Sequence, residues 1–331
     1  LKSKSYKPVI IIFLCKLIKF IPIVGILLFI YLLFNIGIEN IIEVLFSVPI
    51  IFLFIAIFLM IIRVVLSSLK WWFISIKQKI DISFFIIFKI LLICLFYESI
   101  TPASIGSFIG LYYIKKESKI SWQKSFTNSL LDNAIDFIIM LLLGLIGSLF
   151  IFNNYPGIFY ILFFIFIIVI ILFFFLMKER RGIWVLNFFI KPLFPLRIRN
   201  KIDKSVGLLY EDLPKFKDII FSFIISLFVW IIFGLQVYII AYAFSVNIPI
   251  LSFVFIYYIS LIAGLIPVSV GGLGLREGTL VFLLLIFGVP PAITFVISLY
   301  SHIIGNIFPG FIGGLLLVRK TYFISKKETY N

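Results

Sequence analysis

Residues 157 to 177 contain no charged side chain, and stretches nearly as apolar recur at residues 17 to 36, 48 to 69, 218 to 245 and 292 to 318. A further one, residues 121 to 152, is polar in its first half. About 20 apolar residues in helical form cross the core of a bilayer. A helix satisfies its own amides, which hydrocarbon cannot do for it. Composition agrees: 63% of the 331 residues are apolar and 13% are charged, and a soluble domain carries about 25% charged residues. The chain is expected to be an all-α integral membrane protein with about six full transmembrane helices.

Two further apolar stretches are interrupted. Between Gly264 and Gly278 stand Pro267, Gly271, Gly272, Gly274 and the adjacent pair Arg276-Glu277. Proline removes a backbone donor and disfavours helix in the residue before it, and glycines relax the chain further, so a helix breaks here. Pro267-Val-Ser269-Val-Gly271 has the form of Pro102-Ala-Ser104-Ile-Gly106 in the other stretch. Behind each break, at nearly the same distance, Phe126-Thr-Asn-Ser129-Leu130 echoes Phe295-Val-Ile-Ser298-Leu299. Paired interruptions in corresponding halves point to a transporter-type binding site.

Net charge +15 would suit a nucleic-acid binder, but the basic residues are confined to a few segments between apolar runs. That is the pattern of cytoplasmic loops. The longest such loop, residues 178 to 217, also carries Ile198, Ile202, Val206, Leu209 and Leu213 at helical spacing, which predicts an amphipathic helix. Arg63 and the Lys70-Trp71-Trp72 segment read as interfacial, with Arg63 snorkelling toward the inner end of its span. The linker with Asn35, Glu39, Asn40 and Glu43 lacks Lys and Arg and is expected outside.

Counting basic ends, the segment 83 to 114 enters and leaves on the inner side, and 250 to 288 on the outer side. Their arms are short for full crossings. The prediction is two oppositely oriented re-entrant helical hairpins in an inverted repeat, residues 1 to 156 and 157 to 331, with both termini cytoplasmic.

Charged groups in a span face protein or water and are candidates for function. Asn128, Asp132 and Asp136, at four-residue intervals, form one polar stripe. It would take a headgroup, relay a proton or pair with Arg276. Arg276 itself either pairs with a helix carboxylate or snorkels, or joins the amides around Gly271, Gly272 and Gly274 to bind a lipid phosphate, with Glu277 suited to the helix start. Glu98 shares the ambiguity of the two aspartates. His302 reads as a hydrogen-bonded packing residue, and Ser104 and Ser269 as satisfying backbone groups freed at the breaks. No cofactor is implied: Gly272-x-Gly274 lies in a membrane segment and not after a soluble strand. A single histidine excludes a multi-histidine metal site, and Cys15 and Cys94 in apolar runs argue against a disulfide framework.

Lys70-Trp71, Pro102 with Gly106, Asp136, Gly271-Gly272-Leu273-Gly274-Leu275-Arg276-Glu277, Leu285 to Pro290 and Gly313-Gly314-Leu315 together resemble the transmembrane domain of lysylphosphatidylglycerol synthases, also called flippase-like proteins. The resemblance spans essentially the whole chain. It implies a domain that translocates lipids, with aminoacyl transfer left to a soluble domain for which no room remains after Lys327. Where the family shows Glu and Arg after the first break, this chain has Ser107 and Gly110, and Ser301 and His302 stand near a further family arginine. The expected function is movement of a phospholipid or lipid-linked sugar with an anionic phosphate across a prokaryotic cell membrane, without nucleic acid. Two alternatives are the membrane part of a lipid aminoacyl- or glycosyltransferase whose soluble transferase is a separate chain, and a scaffold acting through loop 178 to 217.

Overall fold

The structure is a computed structural model that describes residues 9–101, 105–185, 209–210, 212–267, 269 and 271–328. Pro102, Ser104 and Ile198 to Val206 of the expected amphipathic helix lie outside these residues. All regular structure among the described residues is helical. Helix α1 (Val9–Ile36) is followed by α2 (Ile38–Phe46), α3 (Ile50–Lys77), α4 (Phe84–Ile100), a 3₁₀ turn (Ile105–Phe108), α5 (Ile109–Ser118) and α6 (Trp122–Leu149). Then come α7 (Pro156–Leu176), α8 (Glu179–Val185), α9 (Phe216–Ala243), α10 (Ile250–Gly264), α11 (Leu275–Leu285) and α12 (Pro291–His302). A π turn (Ile303–Ile307) joins α12 to α13 (Phe308–Glu328).

Among the described residues, five helical stretches are long and apolar enough to cross a membrane: α3, α6, α7, α9 and the continuous run Pro291–Val318. The bent pair α1–α2 makes a sixth. The bend, 85°, falls at Gly37, whose φ of 91° is open to glycine at little cost. The segment read from sequence as a plain outer linker is therefore a short helix turned across α1. In its most apolar window α6 is 56% buried and α7 only 11%. The polar-headed helix is the centre of the bundle, and α7, with Ile161, Phe164 and Ile168 exposed, lies at its edge with apolar side chains facing outward. Such a surface needs hydrocarbon around it.

Helices meet closely where glycine allows it. A Cβ at Gly147 on α6 would collide with the Phe255 carbonyl of α10, and one at Gly313 on α13 with the Leu92 carbonyl of α4. Small residues at crossings are the usual means of packing helices in lipid, where no hydrophobic force drives them together.

The two interrupted segments each consist of arms that pack on one another, α4 against the 3₁₀ turn and α5, and α10 against α11. Their lengths, 17 and 10 residues in the first and 15 and 11 in the second, fall short of a full crossing. In the first, Thr101 Oγ1 donates to the Tyr97 carbonyl at 2.8 Å and accepts from Gly106 N at 2.8 Å. In the second, Glu277 Oε2 accepts from Gly274 N at 2.6 Å. The breaks also touch, Gly271 N donating to the Thr101 carbonyl at 3.2 Å.

Outside the apolar spans, Asp212 accepts from Lys79 Nζ at 2.6 Å and Lys124 Nζ at 2.8 Å. It ties the end of α3 and the start of α6 to the approach to α9. Its hydrogen bond to Lys124, then that to Lys79, holds its carboxyl down at about 2, from an ordinary 3.8. A depressed folded value means that stability from this contact is present above the unfolded value and is lost as pH falls through the folded one. Asp212→Asn, tolerated at φ 54°, should lower the melting temperature at neutral pH, and the difference from wild type should vanish between pH 3.8 and pH 2. Melting curves at stepped pH read this directly. Packing is tested separately: Gly147→Leu should destabilise the detergent-solubilised protein by about 1–3 kcal/mol. Gly157→Leu, at a position where an added Cβ meets nothing within 4 Å, should leave it unchanged.

Candidate functional site

Seven residues along a helix are nearly two turns, so Arg63 and Lys70 of α3 face the same side, with Ser67 and Trp71 beside them. That side is turned into the bundle. Lys70 is fully buried, with Nζ 3.0 Å from Asp132 Oδ1 and 2.6 Å from Asp136 Oδ2 of α6. Nζ also donates to the Asp132 carbonyl at 3.2 Å. Ser226 of α9 donates to Asp136 Oδ1. Asn128, one turn earlier on α6, accepts from Trp71 Nε1 at 2.8 Å and donates to Gln78 Oε1 at 2.7 Å. The stripe Asn128, Asp132, Asp136 thus faces the interior as its spacing predicts. Its partner is Lys70 and not Arg276, because Lys70 is drawn in from the interface to neutralise it.

Arg276 belongs to a second cluster, at the start of α11. Its Nε and Nη2 donate to Glu277 Oε1, Nε reaches Ser298 Oγ at 3.2 Å, and Nη1 meets His302 Nδ1 at 2.9 Å. Arginine only donates, so Nδ1 accepts and His302 is neutral. A cation is opposed by the helix dipole at this position and an anion favoured, so fully buried Glu277 does double duty: Oε1 holds Arg276 and Oε2 caps Gly274 N. Gly271, Gly272 and Gly274 have φ of 57°, 80° and 88°, which fixes glycine in this loop. A Cβ on Gly274 would collide with the Gly25 carbonyl of α1. Pro267 lies in the turn ending α10. Buried Ser269 has an Oγ without a hydrogen-bond partner among the described residues, rather than the bond to freed backbone expected of it, and it packs so closely on Gly25 that a Cβ there would collide with it.

Between the clusters lies a cavity of about 330 Å³. Its polar wall comprises Arg63, Ser67, Glu98, Asp132, Asn133, Asp136, Gly271, Gly272, Arg276 and Asn306; Trp230, Phe233, Leu261 and Leu265 are among its apolar residues. The structure therefore brings Glu98, Asp132, Asp136, Gly271, Gly272 and Arg276 to one space. Asn128, Gly274, Glu277 and His302 stand behind it, and Gly106 serves the first break. Arg63 does not snorkel outward. Its Nη2 donates to the Gly305 carbonyl in the π turn, its Cζ lies 4.6 Å from the centre of the Phe233 ring, and its Nε has no hydrogen-bond partner among the described residues. Single π turns in longer helices are frequent at functional sites. The roles of Lys70 and Arg63 were missed in the sequence, although two cations seven apart in an apolar span are a signal for one interior face.

Membrane-length helices around a cavity lined by charged residues define a polytopic integral membrane protein with an internal polar site. Residues 17–313 match the family described as the lysylphosphatidylglycerol synthase TM region, and the chain belongs to that family. A UPF0104 membrane protein of Pyrococcus horikoshii is 24% identical over 319 residues, 90% of this chain and 95% of the relative. Another of that designation, from Methanothermobacter thermautotrophicus, is 23% identical over 263 residues, 74% of this chain and 78% of the relative.

Removing one member of a buried ion cluster leaves the others uncompensated, whereas replacing the whole cluster with neutral groups is far less costly. Lys70→Met should destabilise the protein by about 3 kcal/mol. Adding Asp132→Asn and Asp136→Asn to it should restore most of the loss. Thermal unfolding in detergent compares the two, and a triple variant no better than the single one would rule out the cluster as the cause.

Proposed function

We propose that this protein moves a lipid between bilayer leaflets, holding the anionic phosphate of a phospholipid or lipid-linked sugar in the central cavity while the acyl chains stay in the membrane. The observation that carries this reading is the state of Arg63. Its guanidinium lines the cavity with Nε unbonded and Nη2 spent on a single backbone carbonyl. Arginine suits phosphate because its planar fork matches two oxygens at once. Arg276, for which the sequence left phosphate binding and carboxylate pairing both open, is committed to Glu277, Ser298 and His302 and supports the wall. A cavity of about 330 Å³ is at the lower end of small-ligand sites and suits a headgroup better than a whole lipid.

In this reading the two interrupted segments enter the bilayer from opposite faces as re-entrant hairpins, the halves 1 to 156 and 157 to 331 are inverted relatives, and the cavity opens to each side in turn as they rock. In the same reading both termini lie in the cytoplasm of a prokaryotic cell, and the basic residues of loop 178 to 217 support that orientation. The exposed apolar faces of α3 and α7 fit continuous contact with acyl chains.

The test is reconstitution in phosphatidylcholine vesicles with a fluorescent phosphatidylglycerol, following its accessibility to a membrane-impermeant quencher. A charge-assisted hydrogen bond contributes about 1.5–3 kcal/mol, so Arg63→Ala should slow translocation by about tenfold or more in protein that still reconstitutes folded. Translocation by Arg63→Ala at the wild-type rate would refute the reading.

A further inference from the structure

Among the described residues, the charges around the cavity do not balance. Arg63, Lys70 and Arg276 bring three positive charges, and Glu98, Asp132, Asp136 and Glu277 bring four negative ones. His302 adds nothing, because its Nδ1 accepts from Arg276. The surplus is local to Lys70, which stands between two carboxylates. In a membrane interior an unpaired charge is neutralised in place or not tolerated. An inorganic cation between the aspartates has no room, since Lys70 Nζ already occupies that position at 3.0 Å and 2.6 Å. A proton needs none.

We infer that Asp132 carries an exchangeable proton facing the cavity, and that its release and uptake couple the lipid cycle to a proton gradient. The two carboxylates are not equivalent. Asp136 has the shorter contact with Lys70 and accepts a hydrogen bond from Ser226, so it is the better-stabilised anion. Asp132 is the more buried, and its Oδ1 has the lysine nearby but no hydrogen bond. The neutral acid therefore belongs on Asp132, which lines the cavity and so has a route for the proton.

The groups facing the pair come from each neighbour of α6. Helix α3 supplies Arg63 and Lys70, and α4 supplies Cys94 and Glu98. Among the charged residues of α9, only Lys217 and Asp218 occur, both in its first turn, while α7 has none. Helix α10 has only Tyr257 and Tyr258 as titratable groups, and the charges of α5, Lys115, Lys116 and Glu117, sit at its far end. Arg276 of α11 closes the cavity. Among the described residues, the cations that line this space are the two arginines, which do not deprotonate.

The coupling half of this inference rests on the proposed lipid movement; the proton itself does not, and the experiment separates them. Infrared difference spectra of the full protein in phosphatidylcholine vesicles, titrated from mildly acidic to mildly alkaline pH, should show a protonated-carboxyl band that shifts in D₂O and vanishes as pH rises. Asp132→Asn should lack that band and, as a neutral isostere of the acid, keep the wild-type melting temperature. A wild-type protein without such a band, or a band that survives in Asp132→Asn, overturns the proton site. In the same vesicles with fluorescent phosphatidylglycerol, one proton per lipid should produce about tenfold leaflet asymmetry per pH unit of gradient, abolished by Asp132→Asn. The band with lipid movement indifferent to the gradient overturns the coupling. The band with no lipid movement at all leaves the proton site standing and removes the translocation reading.

Discussion

A charge placed in hydrocarbon has to be met by its neighbours, because water does not follow it there, and the interior of this bundle is arranged around that requirement. Lys70 sits at the middle of the arrangement. With both aspartates of α6 within 3.0 Å of its amine, it fixes α3 against α6 at a defined rotation of each helix. The neighbouring contacts extend the same seam: Trp71 to Asn128, Asn128 to Gln78, and Ser226 to Asp136. Apolar packing alone would tolerate a slide of one helix past the other. A contact between one amine and two carboxyl groups, with directional hydrogen bonds, does not, and this is why a span carrying two aspartates is also the most buried of the membrane-length helices among the described residues.

The same requirement applies to backbone at the two breaks. Each interruption frees amides and carbonyls that must be paired inside the protein. Thr101 turns its hydroxyl both ways to serve the first, and Glu277 divides its two oxygens between Arg276 and Gly274 N to serve the second. The contact from Gly271 N to the Thr101 carbonyl lets one break complete the other. Movement at either site is therefore felt at both, which is the mechanical condition for a cavity walled by the second break and by Glu98, just ahead of the first.

How far the sequence discloses this depends on the range of the interaction. Spans, breaks and the stripe on α6 are local patterns: apolar length, proline with glycine, and four-residue spacing. All three are legible, and the helices fall close to the expected segments. Partner choice is not local. Asp132 and Asp136 could be placed facing inward from their spacing, but nothing along the chain says that a lysine read as interfacial, 62 residues away from Asp132, would come in to meet them. Arg63 was misplaced for the same reason, since its acceptor is the Gly305 carbonyl 242 residues on, in a π turn that leaves no composition signal. The short helix α2 escaped because its two glutamates and its asparagine look like a loop until the 85° turn at Gly37 lays its apolar side on the bundle.

The two arginines show how position, more than residue type, decides what a buried cation does. Arg276 stands in the first turn of α11, where the helix dipole repels it, and it is held there only because Glu277 is adjacent and Ser298 and His302 accept the remaining donors. A ligand that drew Arg276 away would leave Glu277 buried without its counter-charge and loosen the cap on Gly274, so its cost would be paid by the fold. Arg63 lies in the interior of α3, where the dipole has little hold. Its bond is to a carbonyl, a neutral group that a phosphate can replace without stranding a charge. Of two guanidiniums on one cavity, the one free to meet an incoming anion is the one whose departure from its present contact disturbs least.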